Sequence, residues 1–232
     1  DTLSLHDALP ILELRRTETG EYIDPMPYFK HLLKDSKAPV GSLIGIYPIQ
    51  GKGVVNGSSH KKLLAIGNLK QPVHAWGEIY TGISAKDYMD GTSNFYGVHS
   101  VTLYVNSVQV FNSTTDKVLP DENRMINGFT DYEELTRTRR LIMRSYKLPG
   151  NRLRLLHPNE NRGAVTIDEE RDYHFRYVLE DNFGNRRTYQ FIVKGKRQDI
   201  PEYKPEANEM LYWNRANVIQ KPGMELVVPR YR

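Results

Sequence analysis

The stretch from Tyr173 to Val193 constrains the fold of this chain more than any other segment, because its pattern is that of two strands joined by a turn. Apolar residues fall on alternate positions of both halves, and the residues between them are mostly polar. The alternating apolar positions are Tyr173, Phe175, Tyr177 and Leu179, followed by Tyr189, Phe191 and Val193. Successive side chains of a strand point to opposite faces, so the alternation predicts one buried and one exposed face. Asp181–Asn185, between the halves, contains the Asn and Gly residues that a tight hairpin loop requires.

A two-stranded hairpin is marginally stable by itself and must lay its apolar face on further strands. Short alternating or apolar runs bounded by turn residues are predicted to supply them. These predicted strands are Leu12–Arg16, Ser42–Ile49, Lys61–Ile66, Val73–Ile83, Gly97–Phe111 with a turn at Asn106-Ser107, Arg140–Leu148, Arg152–Leu156, Ala164–Ile167, Met210–Ile219 and Glu225–Val228. Their order resembles an immunoglobulin-like antiparallel β-sandwich. We therefore predict a mainly β fold of that architecture, with a short helical insertion.

Helical structure is predicted at two places. Pro27–Leu33 follows a proline-rich start that suits a helix entry. Thr130 and Glu133 have the spacing of a capping box, which predicts a short helix over residues 131–138. Turns are predicted at Gly51–Gly53 and Asn56–Ser59, and a linker at Asp35–Pro39.

Composition excludes several classes of protein and site. The 232 residues contain no Cys, which excludes disulfides, thiolate zinc sites and cysteine nucleophiles. The net charge of +4 is scattered along the chain and lacks the basic stripe of a nucleic-acid-binding protein, so no nucleic-acid partner is expected. No apolar run approaches the roughly 20 residues of a membrane helix, so no transmembrane segment is expected. No signal peptide is visible.

The segment that begins at Leu12 carries a resemblance to a known family. Glu13-Leu14-Arg15, a turn at Thr17–Gly20 and Ile23-Asp24-Pro25 resemble the last strand and exit of the lysostaphin/LytM-type zinc endopeptidases, which cut peptidoglycan cross-bridges. In that family a His-x-His pair precedes this tail, and those positions fall here on Leu9 and Ile11. The downstream region also resembles the segment after the catalytic domain in Gram-negative envelope peptidases. The resemblance implies a non-catalytic region of such an enzyme, with zinc held in the parent catalytic domain.

The resemblance also suggests a domain organisation. Asp1–Ile11 closely resembles a translated sequencing-adapter peptide, so we treat it as a non-native extension that contributes nothing to folding. Residues 12–37 are predicted as the tail of a peptidase domain with a linker, and residues 38–197 as the β-sandwich. Residues 198–232 are predicted as an extended linker and the start of a truncated further β module. Because the family is exported, the missing signal peptide predicts a fragment of a periplasmic or cell-envelope protein.

No catalytic or metal site is predicted, and the binding residues are left open. The histidines form no His-x-His or His-x-x-x-His pair, so zinc-ligand spacing is missing; they are His6, His31, His60, His74, His99, His157 and His174. His74, His99 and His174 fall on predicted strands and could converge, although a structural role is the favoured interpretation. The loop Asp87–Asn94 offers oxygen donors for a cation such as calcium but lacks the EF-hand order, so a turn held by Asp side chains is favoured.

The densest basic cluster could face an anionic glycan or a membrane surface, although arginines on the solvated side of a helix and strand are commoner. The cluster consists of Arg137, Arg139, Arg140 and Arg144, with Arg152 and Arg154 nearby. Whether it binds anything is left open. Ser58 and Ser59 beside His60 are no evidence for a catalytic triad. Gly51-x-Gly53 lacks the Lys-Ser/Thr of a phosphate-binding loop.

Two functions from different classes are consistent with these features. The first is an accessory β-sandwich region that positions or restrains its own upstream peptidase domain, with peptidoglycan as a further candidate partner. The fragment itself is then expected to have no enzymatic activity and to need no cofactor. The second is a free-standing immunoglobulin-like adhesion or glycan-binding module of the cell envelope. A self-sufficient hydrolase would need a catalytic constellation that we do not find in the sequence.

Overall fold

The structure, a computed structural model, describes residues 13–204, 210–212 and 214–230. Its strands are β1 (Leu14–Arg15), β2 (Tyr22–Ile23), β3 (Val40–Val55), β4 (Lys62–Ala65), β5 (Val73–Tyr88), β6 (Phe95–Tyr96), β7 (Ser100–Val105), β8 (Val108–Thr114), β9 (Lys117–Val118), β10 (Met143–Arg144), β11 (Leu156–Pro158), β12 (Val165–Ile167), β13 (Asp172–Glu180), β14 (Arg186–Gly195), β15 (Asn217–Lys221) and β16 (Met224–Val228). The α-helices are α1 (Met26–Phe29), α2 (Ile126–Phe129) and α3 (Tyr132–Thr138), and 3-10 turns lie at Lys30–Leu32, Ile66–Asn68 and Pro120–Met125. Strand residues make up 45% and helical residues 13% of the described part of the chain, which confirms the prediction of a mainly β fold.

One curled sheet contains most of the strands. Its main path runs β11-β8-β7-β13-β14-β5-β3-β4, and β6, β10 and β12 also pair with β5. The pairs along it are antiparallel except β14 with β5, which run parallel from Val193↔Val73 to Gly195↔Ala75. The sheet curls enough for side chains of β13 to reach β5, since the hydroxyl oxygens of Tyr177 and Thr81 lie 2.7 Å apart. The strands of this sheet therefore surround a common core.

The predicted hairpin is present as β13 and β14, which pair from Asp172↔Lys194 to Glu180↔Arg186. Its predicted apolar positions are buried, except Tyr189, which is half-buried. The rings of Phe175 and Phe191 stack with centroids 5.0 Å apart. The predicted shared apolar face is thus confirmed. Tyr189 lies at its edge, where its hydroxyl oxygen accepts a hydrogen bond from the Gly41 N–H at 2.8 Å.

The strand predicted at Val73–Ile83 is present within β5 and provides the opposite wall of the core. Val73, Ala75, Ile79, Thr81 and Ile83 are all buried. Thr81 is the polar member of this row, and its hydroxyl is satisfied by Tyr177, which also contacts the hydroxyl of Ser145 at 2.8 Å. If these hydroxyl groups were buried without such partners, the loss of their hydrogen bonds to water would destabilise the fold.

The turn predicted at Gly51–Gly53 is wrong, because β3 continues through it. The pairing of β3 with β5 shifts register between Pro48 and Gly53, which is a bulge. At Gly53 the backbones approach so closely that a Cβ would lie 2.0 Å from the carbonyl oxygen of Glu78. Glycine serves both tight turns and bulges, so the sequence signal was the same for both structures.

The capping box predicted at Thr130 and Glu133 is wrong by one residue. Helix α3 begins after Asp131, whose Oδ1 accepts the N–H of Glu134 at 3.2 Å. Asp and Thr are both good capping residues. Asp131 caps the helix because its other oxygen is held by side chains from β3 and from the loop before β4. These contacts are distant in sequence, so the local sequence does not reveal them.

Three further predicted strands are shorter than expected. Arg140–Leu148 is reduced to β10, only Leu156 of Arg152–Leu156 is in a strand, and the strand predicted over Met210–Ile219 begins at Asn217. The helix entry predicted at Pro27–Leu33 is confirmed as α1 and the 3-10 turn that follows it. In the three shortened segments, Met143 and Arg144 pair with β5, Leu156 pairs with β8, and Asn217 pairs with β16.

The chain divides into two compact units, one up to Pro201 and one from Glu202 onward. In the first unit, β1, β2 and β9 form a separate three-stranded sheet through pairs such as Tyr22↔Val118. In the second unit, β15 and β16 form a hairpin. Asp1–Ile11 and Leu12 lie outside the described residues. Across the described ranges, none of the helices has the length and apolar character needed to cross a membrane.

Candidate functional site

The histidines do not assemble into a metal site in the part of the chain that the structure describes. His74 lies on β5, His174 on β13, and His99 just before β7. None of them belongs to a group of three or more potential metal ligands among the described residues. Ser58 Oγ lies 3.3 Å from His60 Nδ1, but both residues are exposed and the same hydroxyl accepts the His60 N–H at 3.1 Å. This contact is a local turn contact.

His99 forms a loose contact with Asp24, a residue of the segment that resembles the peptidase tail. Its Nδ1 lies 3.6 Å from Asp24 Oδ2, and neither atom has a hydrogen-bond partner although both are buried. A cavity of about 500 Å³ adjoins the two side chains, with Lys30 and Asp116 also in its wall. The separation exceeds hydrogen-bond distance, so the pair does not by itself orient either group for chemistry.

Three carboxylates from distant parts of the sequence meet beside the hairpin loop. Each of Asp35, Asp87 and Asp181 has an oxygen within 4.8 Å of the others. Asp87 and Asp181 are buried and Asp35 is half-buried. These are the described residues that could hold a hard cation, because such ions take oxygen ligands. Acidic groups of this kind are also common without an ion.

The hydrogen bonds of this acidic group explain its position. Asp181 Oδ1 accepts the N–H groups of Phe183 and Asn185, each at 2.8 Å, and so closes the hairpin loop. The amide of Asn185 donates to Asp181 Oδ2 at 2.7 Å and to the carbonyl oxygen of Asp35 at 3.0 Å. The predicted linker is therefore tied to the hairpin. Burial raises the pKa of Asp87 to about 6, and the negative charges of Asp181 and Asp35 act in the same direction, against the N–H of Tyr88.

The loop Asp87–Asn94, considered as a calcium site, begins later than predicted. Asp87 and Tyr88 belong to β5, and the turn lies beyond them. Asp90 Oδ2 accepts the N–H and the hydroxyl of Ser36, at 3.1 and 2.9 Å. Asp side chains thus do bind backbone amides here, as the favoured interpretation expected, but one of the amides comes from the segment before β3.

The arginine cluster that the sequence singled out is largely compensated by carboxylates. Arg137 donates to Glu134 at 2.9 Å, and Arg140 lies 4.0 Å from the same side chain. Arg144 lies 3.6 Å from Asp131. The carboxylates of Asp131 and Glu134 are almost fully buried, with 1% of each exposed. These arginines therefore neutralise internal negative charge and do not form a free basic surface.

Asp131 is the centre of this network. It accepts hydrogen bonds from Tyr47 Oη and Lys61 Nζ, both at 2.9 Å, in addition to capping α3. Burial alone would raise the pKa of Asp131, but the bonds from Lys61, the Glu134 N–H and Tyr47 outweigh it and lower that pKa overall. Burial likewise raises the pKa of Tyr47. The network attaches α3 to β3 and to Lys61, which precedes β4, and its groups are occupied with one another.

Arg154 forms a second compensated site. Its guanidinium donates to Glu122 at 2.9 Å and to Glu21 at 2.7 Å, and its backbone N–H donates to Glu122 at 3.1 Å. Burial would raise the pKa of Glu122, but the two bonds that Arg154 donates to it and the N–H of Leu119 lower that pKa overall. Arg139 adopts a left-handed conformation that ends α3, and Arg152 is exposed. Arg154 thus has a structural role, whereas Arg139 and Arg152 form no ion pair with a described residue.

An open groove lies along the outward face of the β13–β14 hairpin, and we call it the hairpin groove. It encloses about 610 Å³, and its polar wall comprises Lys70, Gln71, His174, Arg176, Gln190 and Lys194. The register His174↔Ile192 and Arg176↔Gln190 places these side chains on the face opposite the core. The alternation along β13 and β14 predicts polar residues on this face, but Lys70 and Gln71 reach the groove from a different part of the chain.

Comparison of the chain with protein-family models, with curated proteins and with solved structures gave no match in any of the three.

Proposed function

We propose that this chain is a non-catalytic accessory region of an exported zinc endopeptidase that acts on peptidoglycan, with an immunoglobulin-like architecture. The curled sheet around one core, with β13 facing β5, supports that architecture. The resemblance of Glu13–Arg15 and Ile23–Pro25 to the exit of such peptidase domains supports the parent enzyme. A periplasmic or cell-envelope location follows from the same resemblance.

The observation that carries the proposal is the attachment of the tail segment to the main unit. Strand β2 pairs with β9, through Tyr22↔Val118 and Ile23↔Lys117. Arg154 binds Glu21, directly before β2, and Glu122 in the 3-10 turn after β9. An upstream domain continuing from β1 would therefore be held in a defined orientation, which suits a region that positions or restrains it.

Zinc chemistry does not fit the residues of this chain at the family positions. The two histidine positions of the final strand are Leu9 and Ile11, whose side chains have no lone pair to donate. Catalytic zinc needs three protein ligands and an open position for water. Zinc would accordingly belong to the parent catalytic domain, and we derive no catalytic step for this chain.

Zinc titration of the metal-free chain, followed by a cross-bridge cleavage assay on purified peptidoglycan, tests the non-catalytic assignment. We expect no stoichiometric zinc binding at submicromolar concentration and no cleavage. Stoichiometric tight binding together with turnover would contradict the proposal. The sequence of the uninterrupted gene upstream of Leu12 tests the parent: a His-x-His pair directly before Leu12 supports the peptidase, and its absence contradicts it.

The second candidate, a glycan-binding or adhesion module of the cell envelope, is favoured by the hairpin groove. A concave surface lined by amide, imidazole and basic side chains can form hydrogen bonds and ion pairs with a polar ligand. Retention of the chain on a glycan in the absence of any peptidase domain would favour this candidate.

A further inference from the structure

The basic residues of the hairpin groove are not compensated in the way that the arginine cluster is. Arg176 and Lys194 form no ion pair with a described residue, and neither does Lys70. Among the described residues, the groove lining contains no Asp or Glu. Asp172 is the cross-strand partner of Lys194, yet the two form no ion pair among those of the described residues. The groove therefore presents positive charge to solvent without an internal counter-charge.

Arg176 is held in place by an aromatic ring. Its guanidinium carbon lies 4.0 Å from the centroid of Tyr104 on the neighbouring strand β7. Stacking of this kind restricts the side chain while the edge of the guanidinium stays free to donate. An arginine held in this way can bind a carboxylate through two parallel hydrogen bonds.

The remaining groups of the groove favour a glycan over other anionic ligands. Gln71, Gln190, Ser107 and His174 are exposed and supply donors and acceptors suited to sugar hydroxyls. Single-stranded nucleic acids bind to exposed aromatic platforms on which bases stack. Here Phe175 and Phe191 are buried and Tyr104 is covered by Arg176, so the described lining of the groove offers no such platform.

We propose that the hairpin groove binds a linear glycan that carries carboxylate groups, with Arg176 and Lys194 as the charge-recognising residues. The proposal goes beyond the accessory role and does not depend on the parent peptidase, since its failure would leave the result of the zinc titration unchanged. It also relocates the anionic-glycan surface considered for the Arg137–Arg144 region to a different part of the molecule.

Binding of a linear oligogalacturonate, measured by isothermal titration calorimetry at low salt, tests this proposal. A maltooligosaccharide of the same length is the uncharged control ligand. We expect the oligogalacturonate to bind and the maltooligosaccharide to bind at least about tenfold more weakly, with affinity falling as salt is added. Equal affinity for the two ligands, or no binding of the oligogalacturonate, would overturn the proposal.

The double variant Arg176→Gln with Lys194→Gln locates the site. It should raise the Kd for oligogalacturonate by about tenfold or more, because both charge contacts are lost. The matched control is Lys62→Gln with Lys117→Gln, which removes two exposed positive charges from strands outside the groove. Equal loss in both double variants would show general charge attraction and overturn the assignment, with thermal unfolding confirming that both variants fold.

A mixed-sequence single-stranded DNA oligonucleotide distinguishes the other class of anionic polymer. We expect it to bind more weakly than the oligogalacturonate at equal ionic strength. Tighter binding of the DNA that is lost in the Arg176→Gln, Lys194→Gln variant would assign the groove to nucleic acid and overturn the glycan proposal.

Discussion

At the scale of single residues, Asp87 makes the stability of this protein depend on pH. Burial raises its pKa to about 6, the N–H of Tyr88 opposes this, and the charges of Asp181 and Asp35 add to it. As pH rises, Asp87 therefore keeps its proton to a higher pH in the folded state than in the unfolded chain. The stabilising contribution of protonated Asp87 is complete below about pH 4, the pKa of an unfolded Asp, and is lost as pH rises through its folded pKa.

Replacement of Asp87 by Asn should stabilise the protein at neutral pH, because the amide carries no charge to bury beside two carboxylates. We expect the melting temperature near about pH 7.5 to rise by roughly 2–4 °C for each kcal/mol gained, with a much smaller change near about pH 4.5. Circular dichroism melts at both pH values measure this. Asp116→Asn, at an exposed position, is the control and should change neither value. A gain for Asp87→Asn that is equal at both pH values would contradict the linkage.

At the scale of elements, the β13–β14 hairpin depends on one apolar face. Phe175 and Phe191 are paired in register, buried, and stacked with centroids 5.0 Å apart. On the opposite face of β14, Ile192 is 36% exposed. The two faces of the hairpin should therefore respond differently to truncation.

Phe175→Ala should lower the free energy of unfolding by about 3–5 kcal/mol, the range for removing a buried aromatic side chain. Ile192→Ala, on the outward face, should change it by less than about 1 kcal/mol. Urea unfolding at equilibrium compares the two. A cost below about 1 kcal/mol for Phe175→Ala would mean that this ring does not contribute to the core as its burial indicates.

At the scale of the whole molecule, Arg154 joins segments far apart in the chain. Glu21 belongs to the tail segment and Glu122 to the region between β9 and α2, and both carboxylates are buried, with 7% and 4% exposed. Removal of their shared cation would leave both charges without their principal partner. Because the Arg154 side chain is 45% exposed, solvent reduces the cost of its loss.

Arg154→Ala should lower the free energy of unfolding near neutral pH, measured by urea unfolding, because Glu21 and Glu122 then lose their shared cation. The lowered pKa of Glu122 implies that its stabilising contribution is lost as pH falls through that pKa, so the difference from the unchanged protein should shrink in acid. Arg152→Ala, at an exposed arginine nearby, should change stability by less than about 0.5 kcal/mol. Equal effects of the two variants would show that Arg154 does not stabilise the attachment of the tail segment.

The sequence by itself determined the features that depend on local periodicity and turn chemistry. The buried faces of β13, β14 and β5 follow from the alternation of side chains along an extended backbone, and the loop at Asp181–Asn185 from residues that suit tight turns. These properties involve neighbours along the chain, so they can be predicted without knowledge of the fold.

Only the tertiary structure decided which charges are compensated and which distant segments meet. The sequence leaves open whether Arg137 and Arg144 form a binding surface, and the structure pairs them with the buried Glu134 and Asp131. Arg176 and Lys194 have no ion-pair partner among the described residues. The acidic group of Asp35, Asp87 and Asp181 comes from three segments whose proximity no local pattern encodes. Electrostatic energy depends on distance in space and on burial, and the curling of the sheet sets both.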